Sequence, residues 1–282
     1  MLLTAIKTIF HSELKELFPT EEIDSFFYRL IDHYLKEQRF ILALQPDYSI
    51  DKDQETQFFY ALTELKKQRP IQYILGETTF LDFTFKVKEG VLIPRPETEE
   101  LVLWIAENIP NDRPISILDI GTGSGCIAVS LAKLIPNASV TAIDVSSEAL
   151  EIANANAELN GVSVSFIKQD ILAATILPGE FDIIVSNPPY VRELEKTEMQ
   201  PNVLDFEPSL ALFVSDGSPL VFYQKITELA SKFLTPSGAL YFEINQYLGA
   251  ETTALLGAAG FKNSILRKDV FGNERMLKGT KQ

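Results

Sequence analysis

The sequence predicts an α/β protein: a doubly wound, mostly parallel sheet, preceded by a small helical bundle and joined to it by a β-hairpin. Three observations carry this expectation. From Ile115 onward, short runs rich in β-branched and aromatic residues alternate with helical stretches, the pattern of a sheet built from strand–helix–strand units. Before about residue 70, apolar residues recur at helical spacing instead. Between the two, Phe83, Phe85 and Val87 alternate with polar residues behind Thr78-Thr79-Phe80, the period of a short hairpin.

Leu2, Ile6, Ile9, Phe10, Leu14 and Leu17 fall on one face of a first helix, and Ile23, Phe26, Phe27, Leu30, Ile31 and Tyr34 repeat the pattern, with Thr20 expected as the N-cap. Phe58, Ala61, Leu62 and Leu65 form a third stripe, and Arg69-Pro70 ends it because proline blocks helix continuation. The expected organisation is a helical domain over 1–72, a linker and hairpin over 73–92, and an α/β domain over 93–282. Within the last, strands are expected over Ile115 to Ile120, Ser139 to Ile143, Val162 to Ile167, Phe181 to Ser186 and Ala239 to Ile244. Helices are expected to begin near Gly125, Ser146, Pro219 and Gly249. Val191 to Gly217 shows no clear period, and an aperiodic stretch of that length inside a compact domain usually serves function or motion.

Composition narrows the function classes. Apolar residues make up 46% and charged residues 23%, enough to build a buried core. The single cysteine, Cys126, cannot form an internal disulfide, and His11 and His33 are the only histidines, so no metal site is expected and a reducing cytoplasm is. Lys7, His11, Glu13 and Lys15 interrupt the first apolar residues, so no signal peptide or membrane span is expected there. The formal charge of −14 disfavours affinity through nucleic-acid phosphates. It serves either solubility or attraction to a basic protein partner.

Two motifs carry chemistry. Asp119-Ile120-Gly121-Thr122-Gly123-Ser124-Gly125 spans the end of one expected strand and the start of a helix, where glycines let a cofactor approach the backbone. A dinucleotide fingerprint would place its third glycine at Cys126; here it stands one residue earlier, at Gly125, which favours adenosylmethionine over a nicotinamide dinucleotide. Asp144 ends the next strand, either to accept hydrogen bonds from ribose hydroxyls or to cap the following helix in competition with Ser146. Asp170 ends the third strand and could accept from an adenine amino group with Ile171 on the ring, or it could be a solvated turn.

The second motif is Asn187-Pro188-Pro189-Tyr190, at the end of the strand Phe181 to Ser186. The two prolines fix the backbone and remove competing amide hydrogens. The Asn187 side-chain oxygen and the Pro188 carbonyl can each accept one hydrogen of a planar –NH₂ group, with Tyr190 packed on its face. Proline pairs also mark ordinary turns. In favour of a site, Gly121, Asp144, Asp170 and Asn187 all fall at carboxyl ends of strands, the edge where open α/β sheets bind ligands.

With these motifs in place, the sequence closely resembles the release factor glutamine methyltransferases (the HemK/PrmC family) over essentially its full length. The resemblance rests on Arg69-Pro70-Ile71-Gln72-Tyr73-Ile74-Leu75-Gly76, on Leu92-Ile93-Pro94-Arg95-Pro96-Glu97-Thr98-Glu99, and on the glycine turn and Asn187 to Tyr190. Glu207-Pro208 with Ala211-Leu212 and Asn273-Glu274-Arg275 follow in the family's order. It implies a Rossmann-like class I methyltransferase domain using S-adenosylmethionine, and a monomer. The implied substrate is the glutamine of a Gly-Gly-Gln loop in class 1 peptide chain release factors, held in part by the helical N-terminal domain. The implied products are N5-methylglutamine and S-adenosylhomocysteine. Carried over, Asn187 and Pro188 bind the amide beside Pro189, Tyr190 packs on it, Asp119 and the turn Gly121-Thr122-Gly123-Ser124-Gly125 cradle the methionine part, and Asp144 holds the ribose. Ile171 stands where relatives can carry an aromatic residue against adenine. Arg95 with Glu97 either orders the site entrance or forms an ion pair between domains. The competing reading is an adenine-N6 nucleic-acid methylase, whose flipped exocyclic amine would suit the same Asn-Pro-Pro-Tyr geometry; the lack of a basic stripe argues against it.

Overall fold

The computed structural model describes residues 1–109 and 113–282. The chain forms two compact units, one of Met1–Gly76 with Gln200–Phe206, the other of Glu77–Met199 with Glu207–Gln282.

The smaller unit is helical. Helix α1 (Leu3–Leu14) buries Leu3, Ile6, Phe10 and Leu14, and α2 (Thr20–Leu30) buries Ile23, Phe27 and Leu30, each a single face at three- and four-residue spacing. Helix α3 (Lys52–Lys66) adds Phe58, Ala61, Leu62 and Leu65. The three faces meet at an aromatic cluster: the Phe10 and Phe27 rings lie 5.1 Å apart edge to face, and Phe58 lies 5.5 Å from Phe27. Edge-to-face pairs of this kind add about 0.5–1.5 kcal/mol beyond the area they bury. Helix α3 starts at a capping box the sequence reading passed over, with the Gln54 amide donating to Asp51 and the Asp51 amide donating to the Gln54 side chain. Thr20 is not the cap of α2. It is the first helical residue, Pro19 stands at the cap, and no side chain there accepts an amide hydrogen.

The larger unit is built on a seven-stranded sheet. Its strands are β1 (Ile115–Ile120), β2 (Ala138–Asp144), β3 (Ser165–Lys168), β4 (Phe181–Ser186), β5 (Leu234–Glu243), β6 (Lys262–Lys268) and β7 (Glu274–Thr280), in the order β6-β7-β5-β4-β1-β2-β3. From β3 through β5 all neighbours run parallel, while β7 pairs antiparallel with both β5 and β6. Helices α4 (Pro96–Glu107), α5 (Cys126–Leu134), α6 (Ser147–Leu159), α7 (Val221–Phe233) and α8 (Gly249–Ala258) accompany it. The hydrophobic core divides into two clusters. One includes Leu101, Ile105, Ile127 and Val129 with Ile117 and Val185, and the other includes Tyr223, Ile226 and Leu229 with Leu118 and Ile184. Odd and even positions of β1 thus fall in different clusters, as expected of a central strand buried on both faces.

Sequence periodicity located β1 and β4 at their observed limits but missed β6, β7 and α4. Strand β6 is exposed at most positions and rich in lysine, so it carries no alternating apolar signal. The expected strand over Val162 to Ile167 is shorter in the structure because the turn at Asn160-Gly161, with Gly161 at φ 66°, uses the Val162 amide to close α6 on the Ala157 carbonyl. Val191 to Gly217 is not structureless: Val191–Arg192 pairs with Phe213–Val214, a 3₁₀ turn spans Glu193–Glu198, and helices span Pro201–Phe206 and Ser209–Leu212. Elements this short leave no period to read. Among the described residues no helix is long and apolar enough to cross a membrane.

Candidate active site

Strand β1 feeds right and left to β2 and β4, so the turns after β1 and β4 diverge and open a crevice at the carboxyl edge of the sheet. A cavity of about 300 Å³ occupies it. Of the residues singled out from sequence, Arg95, Gly121, Thr122, Gly123, Ser124, Asp144, Asp170, Ile171, Asn187, Pro188 and Pro189 line this cavity, although they come from five separate chain segments. Asp119, Gly125 and Tyr190 do not line it.

The turn after β1 is shaped by glycine. Gly121 and Gly123 take φ of 75° and 55°, and a Cβ at either would meet no protein atom within 4 Å, so their bare backbone faces open space. Gly125 serves packing: at φ 81° it caps α5, and a Cβ would stand 3.0 Å from that of Ala153 on α6. Gly125→Ala is therefore expected to lower stability by at least about 1–2 kcal/mol, the usual cost of a left-handed alanine, read as a shifted denaturation midpoint. Asp119 is fully buried and accepts from the Thr122 hydroxyl at 2.6 Å, while its other oxygen has no hydrogen-bond partner. Burial pushes its carboxyl up to about 7, against the Thr122 bond. It staples the turn rather than presenting a charge to the cavity.

Asp144 accepts from the Gly123 amide at 2.9 Å and the Ser146 amide at 2.8 Å. Ser146 is itself the N-cap of α6, accepting from the Ala149 amide, which settles the competition for that role. A carboxylate has about four acceptor positions, so Asp144 retains capacity for a pair of ribose hydroxyls. Asp170 accepts the Leu172 amide at 2.9 Å, and Ile171, 8% exposed, lines the cavity beside it. Together, bare glycine backbone, a carboxylate with spare acceptors and an apolar slot fit the methionine, ribose and adenine parts of adenosylmethionine in that order. Cys126 also lines the cavity, but burial pushes its thiol up to about 12 and keeps it neutral.

Behind Asn187 lies a network that sequence reasoning missed. The Asn187 amide donates to the Thr98 hydroxyl at 3.2 Å, and Thr98 donates to Glu243 at 2.6 Å. The Tyr190 hydroxyl donates to the other Glu243 oxygen at 2.9 Å. Asn245 donates to the Tyr190 carbonyl at 3.0 Å, holding the far end of the motif. Burial pushes the Glu243 carboxyl up, opposed by its bonds to Thr98 and Tyr190 and by the Arg275 charge; burial and the neighbouring Glu243 push the Tyr190 hydroxyl up. The signal for Glu243 was legible: a carboxylate at the carboxyl end of an otherwise apolar strand, Ala239-Leu240-Tyr241-Phe242-Glu243.

Arg95 pairs not with Glu97 but with Glu207, at 2.7 Å, and the Ile93 amide donates to the same carboxylate. Both partners belong to the larger unit, so this is not an ion pair between domains. The buried Glu207 anchors the Leu92 to Glu99 segment along the cavity wall.

Residues 10–76 match the family model described as the PrmC N-terminal domain, and residues 101–205 match the methyltransferase small domain. A release factor glutamine methyltransferase of Flavobacterium psychrophilum is 55% identical over 99% of both chains. That of Bacteroides thetaiotaomicron is 43% identical over 96% of this chain and 98% of its own. Among solved structures, a Pyrococcus furiosus methyltransferase covers 82% of this chain and 99% of its own at a TM-score of 0.52. A Thermus thermophilus 16S rRNA N2 G1207 methyltransferase, solved with AdoMet and guanosine, covers 73% and 50% at 0.53; both are 20% identical and attest the fold alone.

Proposed function

Since the chain belongs to the release factor glutamine methyltransferase family, we propose that it methylates the side-chain amide of the glutamine in the Gly-Gly-Gln loop of class 1 peptide chain release factors, giving N5-methylglutamine and S-adenosylhomocysteine with release of one amide proton. The observation that carries this reading is the orientation of Asn187: its –NH₂ is committed to Thr98, so its carbonyl oxygen is free to accept from a substrate amide. Adenosylmethionine supplies an electrophilic methyl group on a sulfonium centre. The protein's task is to present the nitrogen.

An amide nitrogen is a poor nucleophile because its lone pair is delocalised into the carbonyl. Asn187 Oδ1 and the Pro188 carbonyl would accept its two hydrogens, orienting the lone pair and stabilising positive charge as it develops on nitrogen. Tyr190 would pack on the planar group with its hydroxyl turned away to Glu243. Gly121 to Ser124, Asp144, Asp170 and Ile171 would hold the cofactor, and the Arg95–Glu207 pair would shape the wall on the substrate side. The helical unit would add affinity for the release factor.

Incubating the protein with methyl-labelled adenosylmethionine and purified release factors, then mapping the label by mass spectrometry, tests the proposal. Label on the glutamine of Gly-Gly-Gln is expected. Label on adenine in added DNA or RNA, with none on release factor, would replace the reading with the nucleic-acid one.

A further inference from the structure

We propose that Glu243 is a positioning residue that fixes which way the Asn187 side chain faces, and so makes Asn187 an acceptor rather than a donor toward the substrate. The inference rests on the amide-methylating reading above and extends it to what sets the Asn187 orientation: Glu243 acting through Thr98, with Arg275 as its counter-charge.

The argument is one of hydrogen-bond polarity. An ionised carboxylate can only accept. Glu243 is 1% exposed and receives two hydroxyls, Thr98 at 2.6 Å on one oxygen and Tyr190 at 2.9 Å on the other. Thr98 has one proton, and it is spent on Glu243. Toward Asn187 its oxygen can then only accept, which forces Asn187 to offer its –NH₂ inward and its carbonyl to the cavity. Asparagine has no such preference of its own, because its two ends are nearly equal in shape and a half-turn exchanges them. With its carbonyl inward, Asn187 would point –NH₂ at the incoming –NH₂, and the site could not bind it.

The acceptor role rests on geometry, one hydroxyl donating to each Glu243 oxygen. Burial, the largest influence, and Glu97 push its carboxyl up, while the bonds from Thr98 and Tyr190 and the Arg275 charge favour the ionised form; the neighbouring Cys126 is neutral. Arg275 is itself held by Asp269, whose buried carboxylate receives its Nε at 3.2 Å and also the Phe271 and Asn273 amides. The Asn273-Glu274-Arg275 segment thus braces the counter-charge of the network. Glu243 does not line the cavity, so its effect on the substrate passes through Thr98 and Asn187.

E243Q is the informative substitution because it keeps shape but offers one acceptor to two hydroxyl donors. Keeping Thr98 and Asn187 as they are would leave the buried Tyr190 proton unpaired. Turning the new –NH₂ toward Thr98 satisfies every group, reverses Thr98 and flips Asn187. The expected result is a kcat lower by about tenfold to a hundredfold, the scale of leaving one buried donor unpaired. Affinity for adenosylmethionine should stay within about twofold, since its contacts do not pass through Glu243, and because only the single amide contact to release factor is disturbed, kcat should fall by more than KM rises.

Two further backgrounds separate this from a general structural defect. In N187D both side-chain oxygens accept, so orientation no longer matters, and E243Q also removes a second carboxylate from Thr98. Adding E243Q to N187D should leave kcat unchanged or raise it. In T98V the relay is absent, and adding E243Q should change kcat less than about threefold. E243Q at wild-type kcat would overturn the proposal, and so would an equal loss in all three backgrounds. Wild-type protein run in the same assay keeps the two readings apart: its failure to label release factor overturns the function and the positioning role together, whereas normal wild-type labelling with an indifferent E243Q overturns the positioning role alone.

Discussion

Asn187→Ala is expected to lower kcat for release factor methylation by about 10²–10³-fold, the range for removing one preorganised polar contact to a reacting group. The reason is specific to the arrangement. Truncation removes the oxygen that would receive a substrate amide hydrogen, and it leaves the Thr98 hydroxyl with Glu243 as its only remaining partner in the network. Nothing in the cradle of Gly121 to Ser124 or in the Asp144 bonds depends on Asn187, so calorimetry should still detect adenosylmethionine binding. Single-turnover measurements at saturating cofactor isolate the step. Turnover near wild type would remove Asn187 from its assigned role and leave the Pro188 carbonyl as the main acceptor. Asn187→Asp should fall between the two, because it keeps an acceptor but places a second carboxylate on Thr98.

Asp144→Ala should weaken adenosylmethionine binding by roughly 1.5–3 kcal/mol, a factor of about ten to a hundred and fifty in Kd, as for lost hydrogen bonds to a charged group. Two losses combine in it. The ribose hydroxyls lose their acceptor, and the Gly123 and Ser146 amides lose the carboxylate that ties the glycine turn to the start of α6. Asp144→Asn separates them, since one amide oxygen can serve only part of those donors. An unchanged Kd by calorimetry for Asp144→Ala would reduce Asp144 to a local turn-former. A large loss of thermal stability without cofactor would assign most of its effect to the turn.

The two units differ in what their sequences reveal. In the helical unit a single buried face on α1, α2 and α3 repeats every three or four residues, so helices were legible, while the capping box at Asp51 depends on a reciprocal side-chain contact and the start of α2 on backbone that is already helical at Thr20. In the larger unit β1 and β4 read clearly because both faces are buried and most of their residues are apolar. The antiparallel pair β6 and β7 did not, since the edge strand β6 is exposed at most positions and so carries no alternating apolar pattern.

The amino-acid sequence by itself determined the strand-end chemistry: glycines where backbone must be bare, aspartates at the ends of β2 and near the end of β3, and Asn-Pro-Pro-Tyr after β4. These are local facts, because a turn's φ angles and a proline's missing donor belong to the residues that carry them. Only the tertiary structure decided which residues stand behind them. Thr98, Asn187 and Glu243 lie on different elements and become a single chain of hydrogen bonds only when the sheet order sets β5 beside β4 and brings α4 against both bonds' ends. The direction of that chain follows from a buried carboxylate's inability to donate, a constraint that exists only after burial has removed the water that would otherwise satisfy either orientation.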